Sequence, residues 1–389
     1  MKNSYFIEKV KIMNEQNEND SDADPKSIIH VTGKNLLIEN SKTDSLDSVT
    51  SSIVDSYIKT AIISTPKLTL RKPYKDLPIS TTFTESKNIG AKIPCEKLYI
   101  KFEGNNPTGT QKDRISFAIC DHAKKFKYNA ITTATCGNFG ASLAYAANYF
   151  HIPECHIYIP KGYFVPKSRM KTMEESKAQI HWYEGTYEDA VLYSSEMARQ
   201  NNWYDANPGM NGTKDITLDA YSQIAVEIYR GLKRAPDYVF CPVGNGSTLA
   251  GIHLGFKKLL AEGKIKQLPR IVAVSTKRGN PIIKSFKEKR RSVVDLDPTD
   301  IHETKINEPL ISWHSFDGQE ALDALYESNG FGEYASDSMM MHFSKILREE
   351  EGLLVHPASS STLAVLAKMT NNGIPLKGTF VVLLTARNV

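Results

Sequence analysis

Lys112 lies in the most densely patterned segment of the chain, KFEGNNPTGTQKDRISFAI at residues 101–119. A strand-like stretch leads into a turn rich in Asn, Pro, Thr and Gly. Lys112 then opens a helix and is followed directly by Asp113 and Arg114. A lysine amine that is kept neutral at such a turn can form a Schiff base with a carbonyl compound. A lone lysine at a helix start is more often a surface residue, so the surrounding motif carries this hypothesis.

A Gly-rich turn follows another strand-like stretch, in PVGNGSTLAG at residues 242–251. Its glycines allow backbone N–H groups to approach a phosphate, and the start of the next helix favours negative charge. The turn lacks the GK[ST] ending of a nucleotide P-loop and the spacing of a dinucleotide-binding motif. It predicts a phosphate site, with a plain tight turn as the alternative, at Gly244, Asn245, Gly246, Ser247 and Thr248.

A third strand-to-helix turn, TATCGNFGAS at residues 133–142, suits a carboxylate or phosphate of a substrate. Asn138 is a candidate to hydrogen-bond a cofactor oxygen, and the alternative is a strand-to-helix turn whose polar groups satisfy one another. No histidine partner for Cys136 is identifiable, so a nucleophilic role for this thiol is not expected.

Thr385 ends an apolar, strand-like run in VVLLTARNV at the C-terminus. A neutral hydroxyl beside the nitrogen of a pyridine-type cofactor would not enforce its protonation, as a carboxylate would. Such a pairing favours elimination over transamination. Without that context, Thr385 is merely a threonine at the end of a strand.

Strands alternating with amphipathic helices from about residue 129 onward predict parallel sheets built from βαβ units. We expect an α/β protein with two doubly wound parallel-sheet domains, the smaller inserted in the larger. A ligand would lie between them at the carboxyl ends of the strands. The expected parts are a partly disordered N-terminal extension (residues 1–70), a large cofactor domain (71–118 and 208–389) and a small domain closing over the substrate (119–207).

Composition excludes several classes of protein. The 389 residues carry a formal net charge of only +4, so no nucleic-acid partner is indicated. The basic run KSFKEKRRS at residues 284–292 is interpreted as a solvated helix end. Five widely spaced cysteines predict neither a disulfide framework nor a metal site, and they favour a cytoplasmic setting. No signal peptide or membrane-spanning segment is recognisable.

The motifs together resemble the fold-type-II family of pyridoxal-phosphate enzymes, most closely threonine synthase, over about residues 77–385. The resemblance implies a tryptophan-synthase-β-like fold, a homodimer and a small amino-acid substrate. It places pyridoxal 5'-phosphate on Lys112, with Asn138 beside the cofactor hydroxyl and Thr385 facing the pyridine nitrogen. It also implies that residues 244–248 hold the phosphate. The residues implied near the substrate carboxylate are Thr135, Cys136, Gly137 and Phe139.

The sequence departs from the family pattern mainly in its substrate parts. Gln111 replaces a usual phenylalanine, Phe139 replaces a common threonine, and His356 replaces a frequent glutamate. An arginine segment expected near the domain crossover is replaced by NPGMNGTK at residues 207–214. The basic residues considered for a substrate phosphate are Lys87, Lys161, Lys214 and Arg387.

The leading expectation is conversion of O-phosphohomoserine to threonine by elimination of phosphate and addition of water. A paralogue remains an alternative, acting on another amino acid by β-replacement (cysteine- or cysteate-synthase-like), by dehydration or in a specialised biosynthetic pathway. A third alternative is a non-enzymatic binding module of the same fold. Lys112 argues against the third, because a module without catalysis has no need of it.

Overall fold

The computed structural model describes residues 30–32, 35–37, 80–93, 95–210, 212–370 and 376–388. The chain divides into two units, Met1–Lys72 and Pro73–Val389. In the first unit, β1 (His30–Thr32) pairs antiparallel with β2 (Asn35–Leu37). The disorder predicted for much of residues 1–70 concerns positions outside the described residues.

The second unit alternates strands and helices along most of its length, as the sequence predicts. Its strands are β3 (Thr82–Glu85), β4 (Cys95–Phe102), β5 (Ala130–Ala134), β6 (Glu154–Pro160), β7 (Gln179–Tyr183), β8 (Tyr204–Asp205), β9 (Tyr238–Pro242), β10 (Arg270–Ser275), β11 (Phe331–Tyr334) and β12 (Leu376–Leu384). Its helices are α1 (Lys87–Gly90), α2 (Lys112–Lys125), α3 (Asn138–Tyr149), α4 (Lys167–Glu175), α5 (Tyr187–Asn201), α6 (Lys214–Leu232), α7 (Ser247–Ala261), α8 (Pro281–Lys287), α9 (Gly318–Glu327), α10 (Asp337–Glu351) and α11 (Ser361–Thr370).

A six-stranded sheet runs in the order β11-β10-β9-β12-β4-β3. Every neighbouring pair in it is parallel except β3 with β4. The adjacent strands β9, β12 and β4 therefore end at the same edge of the sheet. This order brings together the segment after β4, which leads to Lys112, the Gly-rich turn after β9, and Thr385 after β12.

Apolar residues cover both faces of this sheet, because successive strand residues point to opposite sides. Val239 and Cys241 of β9 belong to one buried cluster with residues of α6, α7 and α9, whereas Phe240 belongs to another with residues of α10 and α11. Helices on both faces confirm the predicted doubly wound architecture.

A four-stranded, fully parallel sheet runs in the order β7-β6-β5-β8. All five residues of β5 are buried. Ile131 of β5 and Ile157 of β6 belong to the same buried cluster as Val239 of the larger sheet. The two sheets thus share a continuous apolar core, which fixes the turn after β5 relative to the larger sheet.

Some elements of the structure were not predicted from the sequence, and some predictions are not tested by it. The short strands β3 and β11 and the helix α9 were not predicted, and the basic run at 284–292 lies at the exposed end of α8. All five cysteines are free. Among the described residues, no helix is long and apolar enough to span a membrane. The assignment of residues 119–207 to a domain that closes over a substrate stays a prediction.

Candidate active site

The turn that leads to Lys112, at residues 105–111, connects β4 to α2 and is here called the Lys112 turn. The Thr110 hydroxyl accepts a hydrogen bond from the Lys112 backbone N–H at 3.1 Å. The Gln111 N–H donates to the carbonyl of Thr385 at 2.9 Å, and Thr110 forms a bridge with Ala386. These bonds tie the start of α2 to the end of β12, so Lys112 lies beside Thr385.

The buried carboxylate of Asp113 holds this turn together. It accepts hydrogen bonds from the Thr108 backbone N–H at 2.7 Å and from the Thr108 hydroxyl at 2.6 Å. It also accepts from the Ser142 hydroxyl of α3 at 2.6 Å. Asp113 therefore fixes the start of α2 against α3.

A buried network of two cations and two carboxylates anchors the first turn of α2. Arg114 binds Glu103 through its Nε at 2.6 Å and through Nη2 at 2.9 Å, and it binds Glu227 of α6 at 2.8 and 2.9 Å. Lys101 lies 3.2 Å from Glu103 and 2.7 Å from Glu227. Burial alone would raise the pKa of Glu103, but Arg114 and Lys101 hold it well below its usual range.

The electrostatic surroundings of Lys112 favour its neutral form. Burial lowers the pKa of the Lys112 amine, and the nearby carboxylate of Asp317 opposes that effect. A lysine acts as a nucleophile only when its amine is deprotonated, so a lowered pKa increases its reactive fraction near neutral pH.

Thr385 follows β12 and is 9% exposed. Its hydroxyl lies 2.8 Å from the Ser359 hydroxyl, in the 3-10 turn Pro357–Ser360. The Nδ1 atom of His356 accepts from the Ala358 N–H at 3.2 Å, and burial together with Arg169 lowers the pKa of His356 to about 4. His356, which stands where the family frequently has a glutamate, is thus a neutral ring. It caps the 3-10 turn that contains Ser359, the hydrogen-bond partner of Thr385.

The Gly-rich loop, residues 244–248, connects β9 to α7. Gly246 has φ +95°, a conformation that favours glycine, and Ser247 begins the helix. Asn280 holds the loop by donating to the carbonyls of Val243 and Gly244 at 3.1 and 2.9 Å. The N–H groups of Ser247 and Thr248 donate to no acceptor among the described residues, which is the arrangement that a helix start offers to a phosphate.

The covering segment, residues 308–317, lies over this loop and was not recognised from the sequence. A Cβ added to Gly244 would be 2.9 Å from the Pro309 carbonyl oxygen, and one added to Gly246 would be 2.9 Å from that of Asp317. Both glycines are therefore required by packing within the protein. The Asp317 side chain accepts a hydrogen bond from the Ser247 hydroxyl, and its Oδ1 has no partner among the described residues.

The Cys136 turn, residues 135–139, connects β5 to α3. The Thr135 hydroxyl accepts from the N–H groups of Gly137 and Gly140 at 3.0 and 3.1 Å, so its oxygen organises the turn. Gly137 has φ +144°. Asn138 is partly exposed, and its N–H and that of Phe139 donate to no acceptor among the described residues. These two donors can bind an anionic group.

Phe139, in the Cys136 turn, lies close to Lys112. Its ring is 6% exposed, and the Lys112 Nζ lies 5.8 Å from the ring centroid. An apolar ring therefore lies where the family pattern commonly supplies a hydroxyl, directly beside Lys112.

Carboxylates surround the Cys136 turn. Burial raises the pKa of the Cys136 thiol well above its usual value, and Glu308, Glu303 and Glu188 raise it further. The thiol therefore stays protonated, which agrees with the expectation that it is not a nucleophile. Burial and the charge of Glu303 raise the pKa of Glu308 to about 7.

The basic residues considered for a substrate phosphate do not gather at this turn. Lys161 pairs with Glu184 at 2.5 Å, and Lys214 pairs with Glu320. Arg387 lines a cavity together with Arg169. The side chain of Lys87 lies outside the described residues.

Comparison with known proteins decides the family. The model of the "pyridoxal-phosphate dependent enzyme" family matches residues 75–386. The chain belongs to this family. Its cofactor is accordingly pyridoxal phosphate, as the sequence motifs predicted.

Proteins similar to this chain include two named threonine synthase. Threonine synthase of Methanocaldococcus jannaschii is 29% identical over 291 residues, which cover 74% of this chain and 69% of that protein. Threonine synthase of Methanosarcina acetivorans is 27% identical over 318 residues, covering 81% and 76%. Among solved structures, a fungal L-serine ammonia-lyase from Rhizomucor miehei superposes with a TM-score of 0.68 at 20% identity, covering 80% of this chain and 94% of that one. This likeness confirms the fold.

The described residues fit the family cofactor. A lysine whose pKa burial lowers, a threonine hydroxyl and a helix start with free N–H groups follow the adjacent strands β4, β12 and β9. Asp317 differs from these groups, because its side chain is a carboxyl group beside the proposed phosphate site. Burial raises its pKa, although the hydrogen bond from Ser247 acts in the opposite direction.

Proposed function

We propose that this chain catalyses a threonine-synthase-like reaction, in which O-phosphohomoserine loses phosphate and gains water to give threonine. The observation that carries the proposal is the hydrogen bond from the Gln111 N–H to the Thr385 carbonyl, which holds the residue before Lys112 against the end of β12. The relatives named threonine synthase support it, because they match this chain over most of their length.

Each part of the site has a role in this proposal. Lys112 holds the cofactor covalently and moves the proton at the substrate α-carbon. The Gly-rich loop, Gly244 to Thr248, binds the cofactor phosphate through the free N–H groups at the start of α7. Asn138 hydrogen-bonds the cofactor hydroxyl. When bound, pyridoxal phosphate supplies an electron sink that weakens bonds at the substrate α-carbon.

Thr385 orients the cofactor ring without charging it. Its hydroxyl bonds Ser359, which is also neutral, and it offers no carboxylate to the ring nitrogen. This arrangement favours elimination and replacement over transamination. The N–H groups of Asn138 and Phe139 bind the substrate carboxylate, within a turn organised by Thr135 and Gly137. Cys136 contributes contact area as a protonated thiol.

A second candidate is β-replacement or dehydration of an amino acid without a phosphate. Phe139 beside Lys112 favours it, because the ring offers no hydrogen bond to a polar leaving group. The carboxylates of Glu188, Glu303 and Glu308 near the Cys136 turn also favour it, since like charges repel a phosphate dianion.

Steady-state kcat/KM values for O-phosphohomoserine, O-phosphoserine, O-acetylserine and threonine would separate the two candidates. The first predicts release of phosphate and threonine from O-phosphohomoserine with the highest kcat/KM. A preference for O-acetylserine or threonine supports the second. If the pyridoxal-phosphate-loaded protein turns over none of the four, both candidates are contradicted.

The remaining proposals concern organisation and compartment. Residues 119–207 would close over the substrate, and two chains would form a homodimer. The free state of all five cysteines supports a reducing, cytoplasmic compartment. Light scattering coupled to size exclusion tests the dimer, and a monomeric mass at all concentrations would refute it.

A further inference from the structure

A polar cavity of about 330 Å³ borders the Lys112 turn. Pro107 and Thr108 of that turn, residues of α3 and α4, and Arg387 line it. No residue of the Gly-rich loop or of the Cys136 turn contributes to its wall. Its volume lies within the range of small-molecule sites, about 300–1,000 Å³.

Arg169 of α4 is the buried charge of this cavity. It is 4% exposed, and its Nη1 donates to the Thr108 carbonyl oxygen. Its Nε–H has no hydrogen-bond partner among the described residues. A buried guanidinium N–H without an acceptor is unfavourable, so an oxygen acceptor beside Arg169 would be favourable.

Arg387 adds a second positive charge at the exposed side of the cavity. Its side chain packs over Gly109, where an added Cβ would lie 2.5 Å from the Arg387 Nε. Neither Arg169 nor Arg387 forms an ion pair with a carboxylate among the described residues. Burial lowers the pKa of Arg169, Asp113 opposes this, and the charge of Arg387 lowers the pKa further.

Two carboxylates near the cavity offset part of this charge. Asp113 binds Thr108 and Ser142, and its charge acts on Arg169. Glu175 lines the cavity on the exposed surface of α4, 3.6 Å from Lys171. The three cations Arg169, Arg387 and Lys171 exceed these two carboxylates by one positive charge, which a ligand can neutralise.

Uncharged hydrogen-bonding groups complete the wall. Ser168, Thr172 and Ser176 contribute hydroxyl groups, and Asn148 contributes an amide. We propose that the cavity binds a small oxyanion, a carboxylate or phosphate group, between Arg169 and Arg387. Guanidinium groups suit such ligands because two parallel N–H bonds match two oxygens.

This site is connected to the residues that position Lys112. Arg169 donates to the carbonyl of Thr108, whose N–H and hydroxyl hold Asp113. A ligand at Arg169 therefore acts two hydrogen bonds away from Asp113 in the first turn of α2, where an effector can alter turnover. Binding itself requires no turnover, so this inference is independent of which amino acid is the substrate.

Calorimetric titration of the pyridoxal-phosphate-loaded protein with inorganic phosphate tests the proposal, because bound cofactor already fills the phosphate site of the Gly-rich loop. A parallel titration with acetate distinguishes a phosphate site from a carboxylate site. We expect at least one of the two anions to bind a saturable site that depends on Arg387, which separates it from any binding at the N–H groups of Asn138 and Phe139. Arg387→Gln should weaken its affinity about tenfold, the loss typical of one charge-assisted hydrogen bond.

The matched control is Arg348→Gln, which removes one positive charge from an exposed position on α10. It should leave the affinity unchanged. Arg169→Lys keeps the charge but loses the planar fork, so it should also weaken binding while the circular dichroism spectrum is retained. Absence of saturable binding of either anion to the unmodified protein, or equal affinities in Arg387→Gln and Arg348→Gln, would overturn the proposal.

Discussion

The proposed cofactor side of the site is built from a lysine, a threonine hydroxyl and backbone N–H groups, whereas carboxylates surround the proposed substrate side. On the first side, Lys112 and Thr385 follow adjacent strands of one parallel sheet. On the second, Phe139 lies beside Lys112, and Glu308 belongs to a segment between α8 and α9.

This difference indicates which residues of such a site can be replaced with the least effect on the fold. Strand order fixes the positions of Lys112, Thr385 and the Gly-rich loop, so any change there disturbs the sheet as well. Glu308 lies in a connecting segment, which can change with less effect on the fold. Phe139 lies at a helix start with its ring in the buried core, so its replacement affects packing as well as the site. Substrate preference is therefore the property that this chain has most freedom to alter.

The largest expected effect is on the cofactor side. Lys112→Ala should lower turnover at least about a thousandfold, because it removes both the covalent attachment and the proton-transfer group. Steady-state kinetics with saturating cofactor measure the loss. Lys124→Ala, at an exposed position of the same helix, is the control and should retain activity.

The second expected effect is on the free energy of unfolding. It concerns the buried network of Lys101, Glu103, Arg114 and Glu227 at the first turn of α2. Arg114→Met leaves Glu103 and Glu227 with Lys101 alone, which should lower the free energy of unfolding by about 3–5 kcal/mol. Arg199→Met, which breaks an exposed pair with Glu196, should lower it far less, because solvent screens exposed ion pairs. Urea denaturation of both variants would reveal an error in this account if the two losses were similar.

On the substrate side, Phe139→Thr should raise kcat/KM for O-phosphohomoserine relative to O-acetylserine by about tenfold. A hydroxyl there can pair with a polar group that the ring leaves unpaired. Phe139→Val opens the same space without a hydroxyl and is the matched control. Equal effects of the two variants would show that volume, and not hydrogen bonding, sets the preference.

The smallest expected effect is a pH dependence from Glu308, whose pKa is raised to about 7. As pH rises through this value, Glu308 becomes negative and should lower kcat/KM for a phosphorylated substrate about threefold. Its neutral form also stabilises the fold below the usual carboxyl pKa, and this contribution is lost as pH rises to about 7.

Glu308→Gln should remove both pH dependences, as measured by pH–rate profiles and by thermal unfolding over the same range. Glu349→Gln, on the exposed surface of α10, should leave both unchanged. A pH–rate profile of Glu308→Gln that matched the unmodified protein would exclude Glu308 as the titrating group.

The fold around a motif could be predicted where the motif follows a regular strand. Lys112, the Gly-rich loop and Thr385 follow strands that end at one edge of the sheet, in agreement with the expected parallel arrangement, and their roles toward the cofactor stay predictions. The roles of Asp317 and Glu308 could not be predicted, since they depend on how residues 308–317 pack against Gly244 and Gly246. Glu227 was also missed, because nothing in a helix 113 residues from Arg114 marks it as the partner of that arginine.

The attachment of pyridoxal phosphate to Lys112 is the central claim, and borohydride reduction of the loaded protein tests it most directly. Reduction makes the linkage between cofactor and lysine permanent, so proteolysis and mass spectrometry can locate the modified residue. We predict a single modified peptide containing Lys112, with its visible absorbance band lost on reduction. A cofactor adduct on any other lysine, or unmodified Lys112 in protein that contained bound cofactor, would contradict the account.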